Sequence, residues 1–165
     1  MPAFVGNVMI EIERKFLVLS EAYKKEAFKT TRIVQGFLNT DPERTVRVRV
    51  KGDRGFLTVK GLTSEKGTTR FEWETEISKL EAEELLGLCE KGKIDKLRHE
   101  VKVGDHIFEV DEFFDDNEGL VIAEIELKTE DEPFKTPKWL GEEVTSDIRY
   151  YNSQLSKQPY NTWKK

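Results

Sequence analysis

The chain has 165 residues, enough for one domain with a sizeable core. Charged residues make up 36% of it and hydrophobic residues only 37%, yet 27 basic and 32 acidic side chains nearly cancel to a net charge of −5. That balance gives no whole-protein field for nucleic acid or an anionic membrane, the lone Cys89 excludes a disulfide framework or thiolate cage, and no apolar run reaches the ~18 residues of a membrane span.

The first eight residues, MPAFVGNV, show no periodicity, and Met9 could itself be a start, so residues 1–8 read as a disordered leader. No basic segment followed by an apolar stretch is present there, so a signal peptide is not indicated and a cytoplasmic location is expected. In IEIERKFLV, Ile10, Ile12, Arg14 and Phe16 alternate with Glu11, Glu13, Lys15 and Leu17, which predicts a strand with two acids and a base on one face. SEAYKKEAFK predicts a short helix with Ser20 as N-cap and Tyr23 and Phe28 on one face. IVQGFLN, the hairpin TVRVRVKG and GFLTVKG, and TRFEWETEI then read as strands.

From Ser78 the period changes to 3.6, and KLEAEELLGLCEKG places Leu80, Leu85, Leu86 and Leu88 on one side of a helix of about three turns that Gly92 stops. Cys89 reads as a small core residue within it. IDKLRHEVKVGDHIFEVDEF predicts two strands around Gly104 and Asp105, and LVIAEIELKT another after the acidic loop DDNEG. The tail predicts a Pro-bounded turn and a helix from Ser146 or Asp147, with Trp73 and Trp139 in core or lid packing and Trp163 at a frayed end. His99 falls on an apolar face and His106 in a turn, where structural roles are expected of both.

Alternation sorts charge by strand: Arg47 with Arg49, Lys60 with Thr58, Lys96 with Arg98, and the acids as Glu72, Glu74 and Glu76, Glu109 with Asp111, and Glu124 with Glu126. A wet face on a half-buried antiparallel sheet is the ordinary source of such a pattern. Solvation alone does not require bases and acids to segregate by strand. If the apolar faces point outward to the helical segments, the charged faces point inward, and about eight strands close into a barrel with a charged lumen. The fold class expected is therefore mainly β within α+β: a closed antiparallel tunnel with helices packed outside. Acids in E-x-E spacing lie roughly 6.5 to 7 Å apart on one face, suited to a hard divalent cation, and paired guanidinium groups suit phosphate oxygens. Together they describe a site for a metal-chelated polyphosphate.

EIERK is similar to the E-x-E-x-K element of the CYTH superfamily, the triphosphate tunnel metalloenzymes, and VQGFLN, TVRVRV, LTVKG, RFEWE, KLRH, FEVDEF and AEIEL resemble its later strands in order. WLGEEVTSDIRYYN resembles the tail of small bacterial members, although Phe37 and His99 stand where relatives often have Tyr. The resemblance implies a domain over residues 9–155, followed by a tail at 156–165, that binds triphosphates with Mg²⁺ or Mn²⁺. It further implies Glu11, Glu13, Glu124 and Glu126 as metal ligands, helped by Asp111 and Glu74. Lys15, Arg47, Arg49, Lys60 and Arg98 would grip phosphates, joined by Arg70 and Lys96, with Lys15, Glu13 and Arg49 acting in catalysis. In the tail, Arg149 and Tyr150 match a family element on a segment that either docks against the barrel or plugs it.

The activity implied is hydrolysis of inorganic tripolyphosphate to pyrophosphate and phosphate through water activated by two metals. A class IV type adenylate cyclase, a thiamine triphosphatase and a non-catalytic polyphosphate-binding module are the alternatives. No nucleic-acid or membrane partner is expected; the residues do not give the oligomeric state, and the resemblance leaves open a homodimer through an outer face.

Overall fold

The computed structural model describes residues 3–5 and 8–163. In chain order the elements are β1 (Ala3–Val5), β2 (Val8–Val18), α1 (Tyr23–Glu26), β3 (Lys29–Asn39), β4 (Thr45–Lys51), β5 (Arg54–Lys60), β6 (Thr69–Ile77) and α2 (Lys79–Leu86). They continue as β7 (Ile94–Val103), β8 (His106–Phe113), β9 (Val121–Glu126), β10 (Leu140–Glu143) and α3 (Asn152–Leu155). Among the described residues, no helix is long and apolar enough to cross a membrane.

Pairing runs β2-β6-β5-β4-β3-β7-β8-β9 and returns from β9 to β2, so eight antiparallel strands close into a barrel. β2 is shared among four partners: β6 pairs with residues 9–12, β9 with 13–17, β1 with 8–10, and β10 with Phe16 and Val18. Closure removes the free edges that an open sheet exposes. The barrel is apolar outside and charged inside, as alternation with inward acids and bases predicts.

Outward residues are covered in two clusters. Phe16, Tyr23, Val101, Phe108, Val110, Ala123, Ile125 and Trp139 pack beneath α1 and the segment before β10. α2 covers β3, β4 and β5 through Ala82, Leu86 and Val48. It comes so close that a Cβ on Gly55 would lie 2.7 Å from that of Ala82. A third cluster, of Phe37, Ile94, Phe113, Leu120, Ile122, Val144, Tyr150 and Leu155, joins one end of the barrel to the C-terminal segment.

Several local expectations change. The first helix is the single turn α1, because Phe28 N–H already bonds Glu100 carbonyl and Lys29 starts β3, leaving Phe28 57% exposed. α2 begins at Ser78, whose side chain and Glu81 form a reciprocal capping box, but it ends at Gly87 and not at Gly92. Its buried face is Ala82 and Leu86, with Leu80 and Leu88 in solvent. Gly92 instead turns the chain, at φ 98°, into β7.

The tail forms β10, a 3₁₀ turn at Ile148–Tyr150 and the one-turn α3 in place of one helix from Ser146 or Asp147. Trp139 is core, but Trp73 is 45% exposed beside exposed Phe71, because the α2 cluster meets β6 only at its last residue, Ile77. Trp163 packs on Tyr150 and Tyr160 and donates its ring N–H to Gln158 carbonyl, so it is docked and not frayed. Cys89 packs half-buried beside the α2 cluster. Ala3–Val5, within the expected leader, pairs with Val8–Ile10, and residues 1, 2, 6 and 7 of that leader lie outside the described residues.

Gly92 offers a test of this packing, because an added Cβ would fall on the carbonyl oxygen of Ser156 at a backbone angle that L-residues avoid. Gly92→Ala should lower the unfolding free energy by about 2 kcal/mol or more in urea titrations. Gly87→Ala, at an ordinary helical φ of −66°, should change it by less than about 0.5 kcal/mol.

Candidate active site

Because residues two apart on a strand share a face, β2 sends Glu11, Glu13 and Lys15 into the barrel. Glu13 stands opposite Glu126 and Lys15 opposite Glu124 on β9, while Glu11 faces Arg70 on β6. The Lys15 ammonium lies 2.6 Å from Glu13, 3.5 Å from Glu124 and 5.4 Å above the ring of Tyr151. Burial opposes its charge, but Glu124 and Glu13 hold its pKa well above the usual lysine range.

The acids form two touching pairs. Glu13 meets Glu124, and Glu11 meets Glu72. Burial followed by the neighbouring Glu13 pushes Glu124 up to about 7. Burial, with Lys60 opposing and Glu11 adding to it, pushes Glu72 up to about 7 as well. Glu13 is driven the other way, because Lys15 and Lys60 together outweigh its own burial. Burial also raises Glu126 above the usual carboxylate range.

Bases line the facing wall. Arg47 and Arg49 on β4 share one carboxylate, Glu74, at 3.6 and 3.2 Å, and the buried Nε of each has no hydrogen-bond partner among the described residues. Burial and the neighbouring Arg47 and Arg98 bring Arg49 down to about 10. Thr58 accepts from Arg47 at 3.3 Å and donates to Glu74 at 2.7 Å. Lys60 reaches Glu11 at 3.0 Å. Arg70 donates to the Gly61 carbonyl at 3.0 Å.

Behind them, Asp111 is only 1% exposed and grips Arg98 bidentately at 2.8 and 2.9 Å. It also takes Lys96 at 2.8 Å, and burial lowers Lys96 to about 8 despite that carboxylate. Asn152, on α3, accepts from Lys96 at 3.0 Å and from Gln35 at 2.9 Å.

A cavity of about 60 Å³ is lined by Glu11, Glu13, Lys15, Arg47, Lys60, Arg70, Lys96, Arg98 and Glu124. Arg49 and Glu74 adjoin it through Arg47, and Asp111 lies behind Lys96 and Arg98. Glu126 flanks it opposite Glu13. Sequence patterning thus names residues that one interior brings together.

It overlooks Glu72, whose buried Oε2 has no hydrogen-bond partner among the described residues, although the alternation of β6 carries that signal. It also overlooks Tyr151 and Asn152, which line the cavity through long-range docking, whereas Arg149 turns outward onto Asp147 and Tyr150 joins the apolar end cluster. His99 packs on Tyr23 and Glu112, and His106 meets Glu132, so neither enters the cavity.

Among the described residues, no three acidic, histidine or cysteine groups already converge as a finished metal cage. The donor set nevertheless fits a hard divalent cation: buried carboxylates in touching pairs, each pair with one pKa raised to about 7, and an unpartnered Glu72 oxygen. A cation would replace the proton that such a pair otherwise shares.

Residues 9–159 match the CYTH domain family. The inorganic triphosphatase of Acetivibrio thermocellus is 51% identical over 155 residues, covering 93% of this chain and 97% of that protein. The inorganic triphosphatase of Nitrosomonas europaea is 36% identical over 152 residues, covering 90% and 97%. The crystal structure of the inorganic triphosphatase NE1496 superposes with a TM-score of 0.65 at 34% identity, over 93% of this chain and 95% of that one. A closed charged barrel, its strand order and this extent of similarity together place the chain in the CYTH family.

Proposed function

We propose that this chain is a divalent-metal-dependent inorganic triphosphatase that splits tripolyphosphate into pyrophosphate and phosphate. The observation that carries the reading is the pair Arg47 and Arg49: two guanidinium groups, 13% and 11% exposed, share a single carboxylate, and each keeps a buried Nε donor without a partner among the described residues. Such donors match phosphate oxygens in charge and geometry. Relatives named inorganic triphosphatase at 51% and 36% identity support the same substrate class.

Glu11, Glu13, Glu124 and Glu126 would hold Mg²⁺ or Mn²⁺, which when bound supplies Lewis acidity to phosphoryl oxygens and lowers the pKa of a water. Arg47, Arg49, Lys60 and Arg98 bind the phosphate chain, with Arg70 and Lys96 at its margins. Asp111 and Glu74 assist indirectly by fixing the guanidinium forks of Arg98 and of the Arg47–Arg49 pair. Lys15, next to Glu13, meets the attacked phosphate and offsets the charge that develops there. The apolar cluster at one end of the barrel excludes bulk water, which strengthens every charge interaction inside. The working unit is the domain at residues 9–155, with residues 1–8 dispensable. The same reading includes a cytoplasmic setting, no nucleic-acid or membrane partner, and a homodimer through an outer face.

Phosphate and nucleotide products from tripolyphosphate, ATP and thiamine triphosphate, each with Mg²⁺ or Mn²⁺, test the reading. Fast orthophosphate release from tripolyphosphate that chelator abolishes is expected. Cyclic AMP with pyrophosphate from ATP would make the chain a cyclase, and binding without turnover would make it a sensor.

Glu11→Gln and Glu126→Gln, which remove charge and little volume, should each cut kcat by about 100-fold or more with the fold retained. Wild-type rates in both variants would overturn the metal assignment. Lys15→Ala should lose turnover comparably, and full activity there would remove Lys15 from the mechanism.

Because Glu72 and Glu124 are raised to about 7, protons compete with the metal below that pH. Mn²⁺ affinity should therefore rise from pH 6 to pH 8, with proton release visible by calorimetry in buffers of different ionisation enthalpy. A flat profile would contradict the carboxyl-pair account.

A further inference from the structure

We infer that Thr145 is a positioning residue for Lys15, acting through the barrel wall and oriented by the surface pair Arg14–Glu143. The inference rests on the role of Lys15 proposed above.

Along one edge of β2, β6 supplies the hydrogen bonds only as far as Glu13, whose N–H donates to the Thr68 carbonyl at 3.0 Å. Two residues later that edge has no barrel strand beside it. The Lys15 carbonyl instead accepts from Val144 N–H at 2.8 Å, and the Lys15 N–H donates to the Thr145 hydroxyl oxygen at 3.1 Å. A side chain thus completes the ladder at the residue whose ammonium enters the cavity. Thr145 is 5% exposed, so without its hydroxyl the Lys15 N–H would be buried and unpaired.

The hydroxyl has a fixed orientation. Its proton goes to the Glu143 carboxylate in a short contact, and Glu143 is clamped bidentately by Arg14 at 2.9 and 2.6 Å. Arg14 in turn lies 5.1 Å over the Phe134 ring. With the proton committed to Glu143, the Thr145 oxygen presents its lone pairs to Lys15 N–H. The wall here is one layer thick: an outer cleft lined by Arg14, Thr68, Glu143 and Thr145 shares Thr68 with the inner cavity. Arg14 and Lys15 are adjacent in sequence and point to opposite sides of that layer, so the surface clamp fixes the backbone from which Lys15 projects.

The test uses the full chain with tripolyphosphate and Mn²⁺. Thr145→Val, which keeps shape and removes the hydroxyl, should lower kcat about tenfold at 25 °C with KM changed less than about twofold, and Thr145→Ser should restore it. Glu143→Gln, on the surface, should give a smaller loss of about threefold and guards against misfolding of the valine variant. Residual kcat measured in a double-mutant cycle with Lys15→Ala should show that Thr145→Val lowers turnover only when Lys15 is present. Equal losses in both backgrounds, or a lowered Tm with unchanged kcat in both Thr145→Val and Glu143→Gln, would overturn the inference. If Lys15→Ala alone keeps full turnover and affinity, the role of Lys15 fails; if it is impaired while Thr145→Val is wild type, positioning fails and that role stands.

Discussion

Charge taken out of water must be paired, and the architecture of this barrel follows from that requirement. Asp111, nearly inaccessible, holds both Arg98 and Lys96, and the register that sets Arg98 directly opposite Asp111 makes the contact unavoidable once β7 and β8 pair. A slip of one residue would turn the charged row to the apolar exterior and the apolar row inward. Register is therefore enforced from both faces of the wall, by ion pairs inside and by clusters around Phe108 and Val48 outside.

Pairing is complete for some interior groups and deliberately short for others. Asp111 satisfies two cations, whereas Glu74 is divided between Arg47 and Arg49, and the carboxyl pairs on the opposite wall confront like with like. The residual positive field on β4 and the residual negative field on β2 and β9 are complementary to a polyanion carrying its own counter-cation. Neither wall is suited to an apolar ligand. The proposed chemistry grows from this imbalance, and the well-paired groups hold the frame in which it is expressed.

Period-2 alternation made the barrel legible in the sequence, because a strand with one charged and one apolar face reports both of its surroundings. TVRVRV and AEIEL identify their inward residues unaided: Arg47 and Glu124 line the interior cavity, with Arg49 and Glu126 beside it. Glu72 carries the same signal within RFEWE, but the resemblance implies a role for Glu74 alone, and alternation cannot tell which of two acids on one face lies deeper. Tyr151, Asn152 and Thr145 were not legible at all. Their positions depend on the C-terminal segment docking across 56 residues of chain onto Lys96, 117 onto Gln35 and 130 onto Lys15, and no local period records such a contact. The first helix ends early for a related reason: strand pairing beginning at Lys29 overrides the propensity of the residues before it.

Within the barrel β2 is synthesised before the other seven strands, yet its partners β6, β9 and β10 all lie far downstream. The ring cannot shut until β9, ending at Glu126, has been synthesised. Until then Glu11, Glu13 and Lys15 stay hydrated on a strand with one side still open, and the meander β3-β4-β5-β6 is the portion that can assemble first from neighbours in sequence. Burial of the interior charges is thus a late event in biogenesis, concentrated in the moment of closure. The charged alternation that later forms the site also keeps the waiting nascent strand soluble.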